Sequence, residues 1–297
     1  MREVSGYAPT YGVNARCWYQ AMIICDHDLV AFLQWALPQL GRRWSGYRKV
    51  RGQVKGRIKA RLAELGIDDL DAYRSHLEAH PEEWAVLDDF CRITISRFYR
   101  GRATFDALRE EVLPALARNA RKSGRSVVRA WCIGSASGEE AYTLRLCWNL
   151  DVGNDFPDLE FAIVGTDAGA HMIERARRAC YPEGSLKELP NGWSERAFEK
   201  TGDDQDPFCL CDAFRRDVAF RLQDVRREQP DGPFDLVLCR YILFIYFHED
   251  TQYEVLTDIV DRMEKGAALV IGPKEVLYDG APFEPWFESH NIFRLQS

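Results

Sequence analysis

The chain has 297 residues, of which 46% are hydrophobic and 29% charged, with a formal net charge of −7. This describes a globular chain of about two domains that buries its core without covalent staples, and it excludes a general nucleic-acid binder. No run of about 18 apolar residues occurs, so no membrane insertion is expected, and the opening MREVSGYAPTYG lacks the apolar stretch of a secretory signal, so the expected compartment is the cytoplasm.

Residues 1–27 read as an extension, in which WYQAMIICD either folds over a site as a lid or packs on the domain that follows. Residues 28–90 carry a helical pattern. In RKVRGQVKGRIKARLAEL, Val50, Val54, Ile58 and Leu62 recur every four residues as one apolar stripe, and basic residues take the other faces. Between residues 41 and 61 stand nine Arg and Lys and no Asp or Glu. Such a helix, over 48–61, is either a dock for an acidic helical protein or a solvated face. Gly66 suits its end, and Asp68 or Asp69 suits the cap of the next helix. Residues 91–124 read as a linker and connecting helix.

From residue 125 to 297 the character changes. SVVRAWCIG, LEFAIVGTD, DVAFRLQD, FDLVLCR and AALVIG are short strand-like runs, with helical segments such as GEEAYTLRLCWNL, GAHMIERARRAC and EDTQYEVLTDIVDRM between most of them. Alternating strand and helix predicts an α/β, Rossmann-like parallel sheet with helices on both faces. In such sheets the ligand lies beyond the C-terminal ends of the strands, where the strand order switches. Residues 181–217 interrupt the alternation with PEGS, PNGW and TGDDQDP, all turn chemistry, and read as an inserted loop or small subdomain.

Nine cysteines, an odd number, with Cys132 and Cys239 inside apolar runs, fit reduced buried thiols better than a disulfide framework. Cys209 and Cys211 form a C-x-C without a second ligand pair, and His76 and His80 lack the full H-E-x-x-H pattern, so no metal site is expected.

The stretch WCIGSASGEEAY, residues 131–142, carries the strongest ligand signal. A strand delivers small residues, beginning with Gly134, to a helix N-terminus, where the backbone approaches a ligand closely. Glu139 and Glu140 would repel a pyrophosphate placed there. S-adenosylmethionine, with a sulfonium, an ammonium and no phosphate, suits the loop instead. The second strand ends in IVGTD, and Asp167 stands where a carboxylate accepts ribose hydroxyls. Taken singly, Glu139 or Asp167 also fits a carboxylate favoured by a helix N-terminus.

With these runs in order, the sequence resembles the CheR-type chemotaxis-receptor glutamate methyltransferases over roughly residues 28–297. The basic helix comes first, then ITISRFYRG, similar to the family's T-x-x-x-F-F-R, then GSASGEEAYTL, GTDAGAHMIERARRACY and DLVLCRYILFIYF. The resemblance implies a class I methyltransferase sheet behind a small all-helical domain, with S-adenosylmethionine as cofactor and S-adenosylhomocysteine as product. It implies that Thr94, Ser96 and Arg100 line the cofactor and acceptor site, that Glu139 meets the methionine amino group and that Asp167 holds the ribose. Asp224 and Val225 would flank the adenine, Tyr241 and Ile242 would continue the cofactor wall, and Tyr246 would face the transferred methyl. Arg100 and Tyr246 are the expected catalytic pair; outside that context, one reads as a surface arginine and the other as a core aromatic in a strand.

A carboxylate acceptor is ionised at neutral pH and needs no general base. It needs a donor that holds it in line, and an arginine does so bidentately. The chain departs from the family where C-R-N becomes Cys239, Arg240, Tyr241, where Gly169 replaces an Asp, and where G-H-S-E becomes Gly272, Pro273, Lys274, Glu275. The 181–217 insertion shows no clear glycine-rich hairpin. Three functions follow: a protein carboxyl methyltransferase, a methyltransferase for a small acidic metabolite, and a non-catalytic regulator that binds S-adenosylmethionine.

Overall fold

The structure is a computed structural model, and it describes residues 24–287 and 290–296. The WYQAMIICD segment and the rest of the N-terminal extension lie almost wholly outside the described residues. Contacts divide the described residues into two compact units, one of residues 24–36 and 50–91 and one of residues 37–49 and those from 92 onward.

The smaller unit is helical. Helix Arg51–Leu65 buries Val54, Ile58 and Leu62, three of the four residues of the stripe read from the sequence, while Val50 stands half-buried just before it, and Gly66 closes the helix in the left-handed conformation. Asp69 caps helix Leu70–Ala79 by accepting the Ala72 N–H at 2.8 Å. Phe32 and Tyr73 stack at 5.8 Å, and Tyr73 donates to buried Glu83, which also accepts from Nε and Nη2 of Arg61. Arg51 pairs with Asp26 and Arg57 donates to the Phe90 carbonyl. Much of the basic character of this helix is therefore spent inside the unit.

The larger unit is built on a seven-stranded sheet. In chain order the strands are β1 (Val127–Ile133), β2 (Glu160–Asp167), β3 (Cys180–Tyr181), β4 (Phe198–Lys200), β5 (Phe208–Leu210), β6 (Val218–Leu222), β7 (Phe234–Cys239), β8 (Met263–Ile271), β9 (Phe283–Phe287) and β10 (Ile292–Leu295). The main sheet runs β6-β2-β1-β7-β8-β10-β9. β1 pairs in parallel with both β2 and β7, so the order reverses at β1. Alternate residues of the central strands serve opposite faces. Val128, Ala130 and Cys132 join one core with Leu236, Leu238 and the helices Leu113–Lys122 and Glu139–Leu150. Trp131 and Ile133 join a second core with Val237, Cys239 and helix Glu249–Val260. Burial on both faces explains why these strands read as continuous apolar runs.

Three expectations are corrected. The sheet is not purely parallel, because β10 runs antiparallel to β8 and to β9. FEPWF and IFRL are short and half-polar, so neither reads as a strand on its own. The run after β7 is not continuous strand either, since residues Leu243–Tyr246 form one helical turn that carries Tyr246. Finally, not all cysteines are free. The 181–217 stretch folds with its neighbours into a three-stranded antiparallel sheet, β3-β5-β4, in which Cys180 faces Cys209 and is bonded to it. Cys132 and Cys239 are free and buried as expected.

Candidate active site

The expected site residues all lie in the larger unit. β1, β2, β6 and β7 are parallel, so the loops after them leave the same edge of the sheet. The loop after β1 is the tightest. Gly134, Ala136 and Gly138 all have positive φ (65°, 47° and 91°). A Cβ at Gly134 would stand 2.8 Å from Ile242 Cδ1, so the glycine lets the loops after β1 and β7 close on each other.

Glu139 opens helix Glu139–Leu150 and is buried. Ser137 Oγ reaches its two carboxylate oxygens at 3.1 and 2.9 Å, and Ser96 lies near enough to lower its pKa. Burial raises its pKa, and these hydroxyls only partly oppose that. A buried carboxylate held by a hydroxyl, with no ion-pair partner among the described residues, could hold a ligand's ammonium. Asp167 ends β2. Its oxygens accept the Ala136 N–H at 2.9 Å and the Gly169 N–H at 2.8 Å, while burial again raises its pKa. Ser135 Oγ is buried beside this loop without a hydrogen-bond partner. Two buried carboxylates and an unsatisfied hydroxyl around a small-residue loop fit a ligand that brings an ammonium and hydroxyls, and they do not fit a phosphate.

Arg100 lies against the residue two places after the end of β7. Its Cζ sits 4.0 Å over the Tyr241 ring, and its Nη1 donates to the Ile95 carbonyl. No ion pair of Arg100 occurs among the described residues. Arg240, the residue after β7, pairs with Glu140 at 2.8 Å and donates to the Arg100 carbonyl at 2.7 Å. Tyr246 is half-buried, and its ring lies 5.0 Å from that of Tyr47. Burial raises its pKa against the nearby positive charge of Arg100, so its hydroxyl keeps its proton at neutral pH.

The remaining expected residues are placed less tellingly. Thr94 is half-buried in the irregular segment before Ser96, and Val225 is buried in the second core. Asp224 gives both oxygens to the Arg226 guanidinium, at 2.9 and 2.5 Å, so that ion pair occupies the carboxylate expected at the adenine. Sequence reading did not find the Arg240–Glu140 pair, Ser137, or Glu275, which accepts the Tyr241 N–H. The doubled glutamate at 139 and 140 signalled the first of these, because a second carboxylate in one helical turn calls for its own cation.

The sequence profile described as CheR methyltransferase, SAM binding domain, matches residues 94–291, and the one described as CheR methyltransferase, all-alpha domain, matches residues 38–90. The chain belongs to the CheR methyltransferase family. It is an S-adenosylmethionine-dependent methyltransferase with the class I sheet, as the order of its motifs implied. Among curated proteins it is similar to the chemotaxis protein methyltransferase of Listeria monocytogenes, with 26% identity over 261 residues, 87% of this chain and 93% of that protein. It is also similar to the chemotaxis protein methyltransferase of Salmonella typhimurium, at 27% identity over 76% of each chain. The probable biofilm formation methyltransferase WspC of Pseudomonas aeruginosa is 28% identical over 75% of this chain and 51% of its own length. CheR relatives thus carry more than one biological label. No described helix is long and apolar enough to cross a membrane.

Proposed function

We propose that the chain methylates a side-chain carboxylate of a protein, forming a methyl ester. The observation that carries this reading is Arg100, a guanidinium laid on an aromatic ring and in no ion pair among the described residues. A cation left un-neutralised beside a methyl-donor site suits an anionic nucleophile. S-adenosylmethionine supplies an electrophilic methyl on a sulfonium. Glu139 and Ser137 would hold its amino end and Asp167 its ribose hydroxyls, with Gly134, Ile242 and Val225 packing around it. Arg100 would take the acceptor carboxylate in a bidentate grip and Tyr246 would donate to it from a protonated hydroxyl, so alignment of the nucleophile does most of the chemistry. No proton has to be removed from an ionised carboxylate, so the site needs no general base.

A second reading, a small acidic acceptor, gains from the helical unit. Arg51, Arg57 and Arg61 are engaged within it, which leaves less charge for docking an acidic helix. The test is incubation with methyl-labelled S-adenosylmethionine and either protein fractions or small dicarboxylates, followed by mild base. Label on protein that base releases as methanol supports the ester on a protein; release from the small fraction alone supports the second reading. Label that resists base overturns both.

A further inference from the structure

Tyr241 follows β7 with φ 61°, a left-handed conformation that a bulky residue rarely adopts. A specific contact holds it there. The Tyr241 N–H donates to Glu275 Oε2 at 2.8 Å, and the same oxygen accepts the Gly272 N–H. Glu275 is buried, and its Oε1 has no hydrogen-bond partner, so the carboxylate is committed to backbone. A Cβ at Gly272 would stand 2.5 Å from Glu275 Oε2 and 3.0 Å from the Tyr241 ring. Glycine at 272 is therefore what allows the carboxylate and the ring to approach the same backbone.

The outcome is the position of a ring. Arg100 Cζ lies 4.0 Å from its centroid and Arg240 Cζ lies 5.1 Å from it, while Arg240 Nη2 is 3.5 Å from the Tyr241 hydroxyl. Two guanidinium groups share one phenol, and Glu140 pairs with Arg240 alone while feeling the charge of both. An Arg100 side chain without the ring would be drawn toward Glu140 and neutralised. An aromatic face attracts a cation without cancelling its charge.

Resting on the reading of Arg100 as the group that meets the acceptor, we propose that Tyr241, set by Glu275, is a positioning residue. It holds the Arg100 guanidinium un-neutralised for an anionic acceptor. This assigns Tyr241 to the acceptor side of the site rather than to the cofactor wall.

The test compares Tyr241→Phe, which keeps the ring, with Tyr241→Asn, which tolerates the left-handed backbone but removes it. In side-chain guanidinium NMR spectra, with Arg100 assigned through Arg100→Lys, the wild type and Tyr241→Phe show a ring-current shift of the Arg100 Nε–H that Tyr241→Asn lacks. By calorimetry, S-adenosylhomocysteine binds all three within about twofold. With poly-L-glutamate as acceptor, Tyr241→Asn raises the acceptor KM about tenfold and Tyr241→Phe leaves it within about twofold. An Arg100 shift that survives in Tyr241→Asn overturns the proposal, and so does a loss of S-adenosylhomocysteine affinity in parallel with activity. If the wild type forms no base-labile ester on any carboxylate, the carboxylate reading fails on its own, and the spectra and calorimetry still decide the role of the ring.

Discussion

Under the proposed function, Glu139 would bear two opposed demands. It would have to be ionised to hold an ammonium, yet it is buried among hydroxyls that only partly repay its lost hydration. Glu139→Gln is expected to weaken S-adenosylhomocysteine binding by roughly 30-fold or more, the usual result of removing one partner from a buried charged pair. The same change is expected to raise the melting temperature of the ligand-free protein at neutral pH. The sign follows from the raised pKa. Folding favours the protonated form of Glu139, so its contribution is fully present below the unfolded value of 4.5 and is lost as pH rises through the folded one. The stability gap between variant and wild type should therefore close at low pH and open as pH rises, which melting curves across a pH series will read. At the same scale, Arg100→Lys keeps the charge but loses the planar fork; methyl transfer is expected to fall by roughly 10²-fold while S-adenosylhomocysteine affinity holds.

At the scale of elements, the glycines of the site loop and of the basic helix make opposite predictions. Gly138 has φ 91°, and a Cβ there would stand 2.9 Å from Phe220 Cζ and 3.1 Å from Ala176 Cβ. Gly138→Ala is expected to cost about 1–3 kcal/mol in urea denaturation, through backbone strain and overpacking together. Gly52 and Gly56 lie on the exposed side of helix Arg51–Leu65 with open space around them. Alanine at either should stabilise the protein by about 0.5–1 kcal/mol, because glycine is a poor helix former. A double variant that melts lower would mean that backbone exposed on this face does something else. The elements that the sequence made legible are those with a clean period. The four-residue stripe of the basic helix and the β1–loop–helix–β2 order with Asp167 at its end were read from single runs. β9 and β10 were not, because FEPWF and IFRL carry too few alternating positions to stand out. The left-handed Tyr241 was hidden for a different reason. Nothing in C-R-Y-I announces a backbone conformation that is held by Glu275, 34 residues further on.

At the scale of the whole molecule, the Cys180–Cys209 bond joins residues 29 apart in the chain. Counting nine thiols could not reveal it, since pairing depends on the register that places β3 opposite β5. Closing a loop of that length removes about 3–4 kcal/mol worth of freedom from the unfolded chain on the chain-entropy account. Cys180→Ser with Cys209→Ser is expected to lower the unfolding midpoint accordingly, and a reducing agent should do the same to the wild type while leaving the double variant unmoved. The main sheet needs no such bond, since its two apolar faces are covered by helices and by burial alone.

The covalent bridge also changes what cutting the chain means. The stretch between β4 and β5, with exposed Gly202, Asp203, Asp204 and Gln205, is the kind of loop tip that a protease reaches first. It lies inside the ring closed by Cys180 and Cys209. A single nick there would leave two fragments still tied together, migrating as one band on a gel until a reductant is added. Digests run without reductant would therefore count such a molecule as intact.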